Sequence, residues 1–446
     1  MFHKYPSSKK DDAYEIGQSL LFANGDLVRT VSTPATGVRM TLSCWIKLGA
    51  MAGGQRTLFY SGNDSSNYEK IAMGAGGNIY WNNKTNGSVA FEVYSSEVLR
   101  DSSSWYHICC VYDSDGSVAS ERRAMIYING EEFTNSVNQP PSVGFPTKFM
   151  SIGRMEVGTQ KENDFFLGGY MAETYGIEGQ ALGPEHFALT DSNGVYNPIP
   201  YEGTYGTNGF YLPFEASDIG ADESENGNDF TPSGFTSESV VADSPTNNYS
   251  VWMPYPAWFT SANGIPNYLA SNGNKSIQQS GEGIQGAYIE SIQLSTGKFW
   301  RAWHIDTYET NGSYDYMYVG FASTKSTYRL QDKGICVRSN GSVRFWDESA
   351  PSVNVPSLTY GQGDTIGFAV DLDAGIVEIY KNGSLEYTSD PSSWRPTSDA
   401  IIFGVEFYTP TATMKATISD EGAPDGYLPL CTQNLPDTLV NPKEHF

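Results

Sequence analysis

Charge is scarce in this chain, and positive charge scarcest. Charged residues make up 17% of the sequence, and 27 Lys and Arg stand against 51 Asp and Glu, a formal net charge of −24. A nucleic-acid binder needs a basic face to neutralise phosphates, so that class is excluded. Attraction to an anionic membrane surface fails on the same ground. Cysteine is scarce too. Cys44, Cys109, Cys110, Cys336 and Cys431 are odd in number, irregularly spaced and without a C-x-x-C pair. They read as reduced thiols packed in the interior of a protein folded in a reducing cytoplasm. Cys109 and Cys110 adjoin in an apolar run, so in a strand they point to opposite faces. No run approaches 18 apolar residues, so no membrane insertion is expected. Met1 to Gln18 has no apolar stretch of seven or more, and a secretory signal is not expected there. Helical periodicity is almost missing. One short helical turn is expected around Gly183-Pro184-Glu185-His186-Phe187, where Pro suits a first helical position.

Turn residues and aromatics fill the gap. The chain has 46 Gly, 29 Tyr, 22 Phe and 9 Trp, which is not a disordered composition. Asn-Gly, the pair suited to a type I′ hairpin turn, occurs eleven times, from Asn24-Gly25 to Asn382-Gly383. Short β-rich runs lie between these turns: Met40 to Ile46, Trp105 to Tyr112, Ala124 to Ile128, Tyr316 to Phe321, Ile366 to Val370 and Ile376 to Tyr380. Strands at this spacing predict an all-β chain of two antiparallel sandwiches (jelly rolls) in tandem. The expected division is an N-terminal anchor or arm (1–17), a first sandwich (18–215), a connector (216–284), a second sandwich (285–420) and a C-terminal tail (421–446). The connector is marked by Ser, Asn, Gly, Asp and Pro, with aromatics that pack it onto its neighbours. The halves echo each other. Gly77 to Trp81 resembles Gly341 to Trp346, and Met125 to Gly130 resembles Val377 to Gly383.

Several runs carry a family resemblance. In the first half these are Ser19-Leu20-Leu21-Phe22, Thr41 to Lys47, Trp105 to Ile108 and Phe166-Leu167-Gly168-Gly169-Tyr170-Met171-Ala172-Glu173. Gly179 to Leu182, Tyr201 to Leu212, Asn226 to Phe230 and Asp243-Ser244-Pro245-Thr246-Asn247 continue the series. This half resembles the laminin-G/concanavalin-like domains of tailed-phage virion proteins. In the second half, Ser295 to Trp300, Tyr318 to Ala322 and Gly363 to Asp373 are similar to a SPRY domain. Gly426 to Pro436 and Asn441 to Phe446 also resemble the phage lineage. Relatives of this kind often continue into further repeats, so a long, multi-domain fibre is not expected.

Candidate chemistry is thin. A glycosidase needs two carboxylates about 5–9.5 Å apart in a groove. Asp371-x-Asp373 puts two on one strand face, but Ala374-Gly375 follow, and a turn explains the pair. His107, in Trp105-Tyr106-His107-Ile108-Cys109, has no histidine near it in sequence and reads as a hydrogen-bonded interior side chain. No Gly-x-Ser-x-Gly elbow, P-loop or dinucleotide fingerprint occurs. No catalytic residue is assigned and no enzyme activity is expected. Laminin-G-like domains sometimes hold calcium on loop oxygens. The resemblance therefore offers Asp113 and Asp115 as possible calcium ligands, with plain turn chemistry as the alternative. Aromatic faces stack on sugars. Tyr80, Trp81 and Tyr94 in the first sandwich, and Tyr314, Tyr316, Tyr318 and Trp346 in the second, are the residues offered for ligand binding. Core packing and cross-strand pairing are the competing role for each.

The resulting expectation is a non-enzymatic phage virion protein, a fibre or adhesin contacting host-surface glycans. It would be made in the bacterial cytoplasm and carried on the virion. Its partners would be other virion proteins and copies of itself in a homo-oligomer such as a trimer. A capsid or tail decoration protein binding only other virion subunits is the alternative. A polysaccharide-degrading enzyme is a third reading.

Overall fold

The computed structural model describes residues 14–435, apart from 33–36, 50–53, 152, 161–164, 192–193, 254–257, 260–267, 280–285, 310–315, 325–329, 331–333, 346–351, 390–399 and 409–412. The chain forms two compact units, Met1–Asn248 and Tyr249–Phe446. Both are built from antiparallel sheets, as the turn spacing predicts.

In the first unit one sheet is centred on Arg39–Lys47, flanked by Trp105–Asp113 and Tyr170–Glu178. The other runs Thr134–Gln139, Ser88–Val98, Asn78–Thr85, Asn67–Met73, Arg56–Asp64, Gly153–Val157, Asp26–Val31 and Thr231–Ser233. Leu42, Cys44, Ile46, Ile108, Cys110 and Met171 on the first sheet share one apolar core with Phe59, Ile71, Trp81, Phe91, Val93 and Met155 on the second. Two sheets each burying one face in this way make a sandwich. Cys109 and Cys110 do face opposite ways. Cys110 lies in that core, and Cys109 lies under Phe187 and Tyr201 on the outer side. All five cysteines are buried, and none is joined in a disulfide.

Asn86-Gly87 shows why the turns read so clearly. Thr85 pairs with Ser88 across it, and both central residues have positive φ, 52° and 77°. Asn129-Gly130 and Asn382-Gly383 close their hairpins in the same way. The short turn at Pro184–His186 is a 3-10 helix with Pro at its start and Gly183 before it.

The second unit pairs a sheet holding Gly286–Leu294, Ile401–Tyr408, Tyr316–Ser323, Gly334–Arg338 and Asn340–Phe345 with one holding Met414–Ser419, Lys298–Tyr308, Thr365–Asp371 and Ile376–Lys381. Across the two sheets, Trp303 meets Phe403 at a tilt, 6.0 Å between ring centres, and Phe368 meets Phe321 edge to face at 6.2 Å.

The polar stretch 216–284 contributes to both units. Thr231–Ser233 pairs with Asp26–Val31, and Val240–Val241 pairs with Ser19–Leu21. The hairpin Tyr268–Ser271/Ser276–Gln279 adds to the second unit through Met414–Ser419. These strands are two to four residues long and carry little apolar periodicity. Buried aromatics and polar contacts both hold the stretch: Phe230 lies in the first unit's core with Phe235 packed against it, and Trp252 is fully buried. The Asp222 carboxylate accepts from the amides of Tyr211 (2.9 Å), Ser224 (3.0 Å) and Asn228 (2.8 Å). Leu428–Pro429, in the segment read as a tail, pairs in parallel with Lys298–Tyr308.

Candidate functional site

Three adjacent strands of the first unit, Asn67–Met73, Asn78–Thr85 and Ser88–Val98, set the geometry of the strongest candidate. Successive side chains of a strand point to opposite faces. Here the odd-numbered Glu69, Ile71, Ile79, Trp81, Phe91 and Val93 turn inward and are fully buried. The even-numbered Tyr68, Lys70, Tyr80, Asn82, Lys84, Glu92 and Tyr94 therefore share the outer face. The register stacks them in rows. Tyr68 pairs with Lys84, Lys70 with Asn82 and then Glu92, and Ala72 with Tyr80 and then Tyr94.

Tyr80 and Tyr94 sit side by side, ring centres 6.0 Å apart and tilted by 36°. The Lys70 ammonium lies 5.2 Å from the centre of the Tyr68 ring and 5.4 Å from that of Tyr80, and donates to Gln55 Oε1 at 2.9 Å. Lys84 stands 5.7 Å from the Tyr68 ring centre. Burial, and then the neighbouring Lys84 charge, bring Lys70 down to about 8. Such a face offers aromatic edges, ammonium donors and an amide within one patch. It is suited to a flat polyhydroxylated ligand.

Trp81 does not belong to this patch. It is 0% exposed, in the core against Phe91 and Tyr112, and its Nε1 donates to Glu69 Oε1 at 2.8 Å. The pleat separates it from Tyr80. In the second unit, Tyr316 and Tyr318 also share an outer face, but Arg338 occupies it. The guanidinium carbon is 3.2 Å from the Tyr316 ring centre and 6.0 Å from that of Tyr318. Tyr318 is buried and meets Tyr408 edge to face. Tyr314 and Trp346 lie outside the described residues.

Asp113 and Asp115, offered for calcium, both turn to Arg39. Its Nε is 3.1 Å from Asp113 Oδ2, and its Nη2 contacts Asp115 Oδ2. Asp115 also accepts from the Ser117 amide at 2.8 Å, and hydrogen bonds from Ser117, with the Arg39 charge, bring it to about 2. The cation these carboxylates face is thus a guanidinium on a turn. Among the described residues no three His, Cys, Asp or Glu side chains converge as a metal site. Asp371 caps its own turn, accepting from the amides of Asp373 (3.1 Å) and Ala374 (2.8 Å) and pairing with Lys298 at 2.8 Å. His107 is fully buried, with Ser43 Oγ 2.8 Å from Nε2 and Tyr196 Oη 3.2 Å from Nδ1. Burial lowers it to about 3.

Two polar clusters escaped the sequence reading. Glu173, at φ 47° where the pairing of Tyr170–Glu178 shifts register, receives the hydroxyls of Tyr14 (2.7 Å), Tyr175 (2.5 Å) and Tyr211 (2.9 Å). Burial pushes its carboxyl up against the pull of those three donors. Lys47 and Asp243 form a fully buried ion pair at 2.7 Å. Asn248 Oδ1 lies 2.7 Å from the same ammonium, and Trp105 Nε1 donates to Asp243 at 3.0 Å. This pair explains the Asp243-Ser244-Pro245-Thr246-Asn247 run as a structural latch. The partners of both clusters are far apart in sequence, so no local pattern signalled them. Lys70 and Asn82 were missed as well, although the alternation of even positions marked them.

Residues 22–175 match the family model described as the Concanavalin A-like lectin/glucanases superfamily. The first unit is accordingly a concanavalin-like, laminin G type sandwich. No curated protein sequence matches the chain. Among solved structures, the SPRY domain of human HERC1 is similar at 16% identity and a TM-score of 0.29, over 35% of this chain and 94% of that one. Domains LG4-5 of the mouse laminin alpha1 chain align over 96% and 97% of the two chains, at 10% identity and a TM-score of 0.31. A heptameric SAP-like pentraxin from Limulus polyphemus aligns over 38% and 80%, at 17% identity and a TM-score of 0.27.

Proposed function

We propose that this chain is a non-enzymatic saccharide-binding protein of a phage virion, and that the outer face of the first unit around Tyr80 and Tyr94 contacts host-surface glycans. One observation carries the site. Two tyrosines lie in register on one sheet face, half-buried and 6.0 Å apart, with Lys70 and Asn82 in the neighbouring row. Aromatic rings give a sugar its apolar platform, and ammonium and amide groups bond its hydroxyls. The virion setting rests on the order of motifs that resembles phage structural proteins. The −24 charge suits an exposed particle surface that avoids packaged genome. The non-enzymatic reading is supported by Asp371, whose carboxylate is taken up by its turn and by Lys298. Weak single contacts would be multiplied by a symmetric homo-oligomer.

An array of purified bacterial surface polysaccharides tests the site. The full chain is expected to bind at least one of them, and Tyr80→Ala to lower that binding tenfold or more. An unchanged Tyr80→Ala signal would remove the site. Mass spectrometry of purified particles tests the setting, which fails if the chain is missing from them.

A further inference from the structure

The two lysines of this patch are unusual in so acidic a chain. Among the described residues, neither Lys70 nor Lys84 is paired with a carboxylate. Lys70 is held by Gln55 and by the Tyr68 and Tyr80 rings, and Lys84 by the Tyr68 ring. They are close enough for the charge of Lys84 to disfavour the charged form of Lys70. Two ammoniums held together over aromatic rings without a counterion form a place where an anion relieves a repulsion. Beside them in register stands Asn82. It is 7% exposed, and its buried Oδ1 has no hydrogen-bond partner. A buried acceptor left without a donor costs about 1–3 kcal/mol.

Resting on the saccharide-binding reading above, we infer that the ligand is an acidic saccharide. Its carboxylate or sulfate lies between Lys70 and Lys84, its ring rests on Tyr80 and Tyr94, and one of its hydroxyls donates to Asn82 Oδ1. Glu92, on the far side of Asn82 in the same row, confines the anion to the lysine side and sets the direction in which the sugar lies. A neutral sugar would find the platform but leave the lysines unneutralised.

The experiment compares three probes on one backbone, carboxymethyl dextran, dextran sulfate and unmodified dextran oligosaccharides, together with the acidic and neutral members of the polysaccharide array. Wild-type full chain, Lys70→Gln, Lys84→Gln and Tyr80→Ala are titrated at low and at 0.5 M salt, with circular dichroism confirming that each variant is folded. The expected result is binding of acidic probes at least tenfold tighter than neutral ones. Either lysine substitution should weaken acidic binding about tenfold and neutral binding by less than threefold, and high salt should weaken only the acidic probes. The carboxymethyl and sulfate arms tell which anion is preferred. Equal binding of acidic and neutral probes, or lysine variants that bind acidic probes as wild type does, would overturn the inference. If acidic and neutral saccharides bind equally and only Tyr80→Ala removes that binding, saccharide binding stands while the acidic ligand falls. If no saccharide of either charge binds, both fall.

Discussion

Replacing Lys47 by Met tests the latch that ties the 243–248 turn to the first unit. Both side chains of the Lys47–Asp243 pair are 0% exposed, and the ammonium touches Asp243 Oδ2 and Asn248 Oδ1, each at 2.7 Å. Met fills a similar volume but supplies no donor, so the carboxylate stays buried against a thioether. Breaking a buried pair from one side costs about 3–5 kcal/mol, because the remaining charge is uncompensated. A unit of this size loses roughly 2–4 °C per kcal/mol, so its melting transition should fall by about 6–20 °C. Differential scanning calorimetry of the full chain is the assay, and the transition of the second unit serves as an internal reference. Adding Asp243→Asn to Lys47→Met removes the stranded charge and should recover part of the loss, with a coupling of roughly 1–3 kcal/mol between the two positions. A Lys47→Met transition within 2 °C of wild type, on the same scale of ~2–4 °C per kcal/mol, would refute the reasoning. So would additive losses in the double variant.

Other predictions concern the first unit. Glu69 accepts from Trp81 Nε1 and Thr147 Oγ1 on one oxygen, and from Asn83 Nδ2 and the Lys148 amide on the other. Glu69→Gln sets an amide N–H against such donors and should cost about 1–3 kcal/mol in thermal unfolding; no loss would mean the cluster is not structural. His107 is held neutral, lowered to about 3 by burial. Below the unfolded value of about 6.5 the unfolded chain takes up a proton that the folded unit refuses, so this stability is present above pH 6.5 and lost as pH falls toward 3. His107→Gln should flatten the stability profile between those limits by up to about 1.4 kcal/mol per pH unit, and an unchanged slope would contradict it. Gly87 has φ 77° and open space where a Cβ would stand. Gly87→Ala should therefore cost only the backbone penalty, about 1–2 kcal/mol; a larger loss by denaturant titration would point to a contact.

Much of the fold was legible because its determinants are local. Asn86-Gly87, Asn129-Gly130 and Asn382-Gly383 mark hairpins through the φ each pair adopts, and Cys109 and Cys110 divide by the pleat. The site was legible in half. Tyr80 and Tyr94 stand out as aromatics in short strands, but grouping Trp81 with Tyr80 ignored the alternation that sends neighbours to opposite faces. Lys70 is an ordinary lysine until strand pairing sets it beside Asn82 and between two rings. Lys47 and Asp243 are 196 residues apart, and Glu173 meets Tyr14 across 159. No window of sequence contains such pairs. The stretch 216–284 reads as a connector because its strands are short and its hydrogen bonds come from Asp and Asn side chains, which in sequence look like loop.

The most direct test of the saccharide site is hydroxyl-radical footprinting of the full chain with and without a bound polysaccharide from the array. The account predicts protection of Tyr80 and Tyr94, with Tyr316 unchanged beneath Arg338. Protection at Tyr316 and Tyr318, with Tyr80 and Tyr94 as reactive as in the free chain, would contradict it.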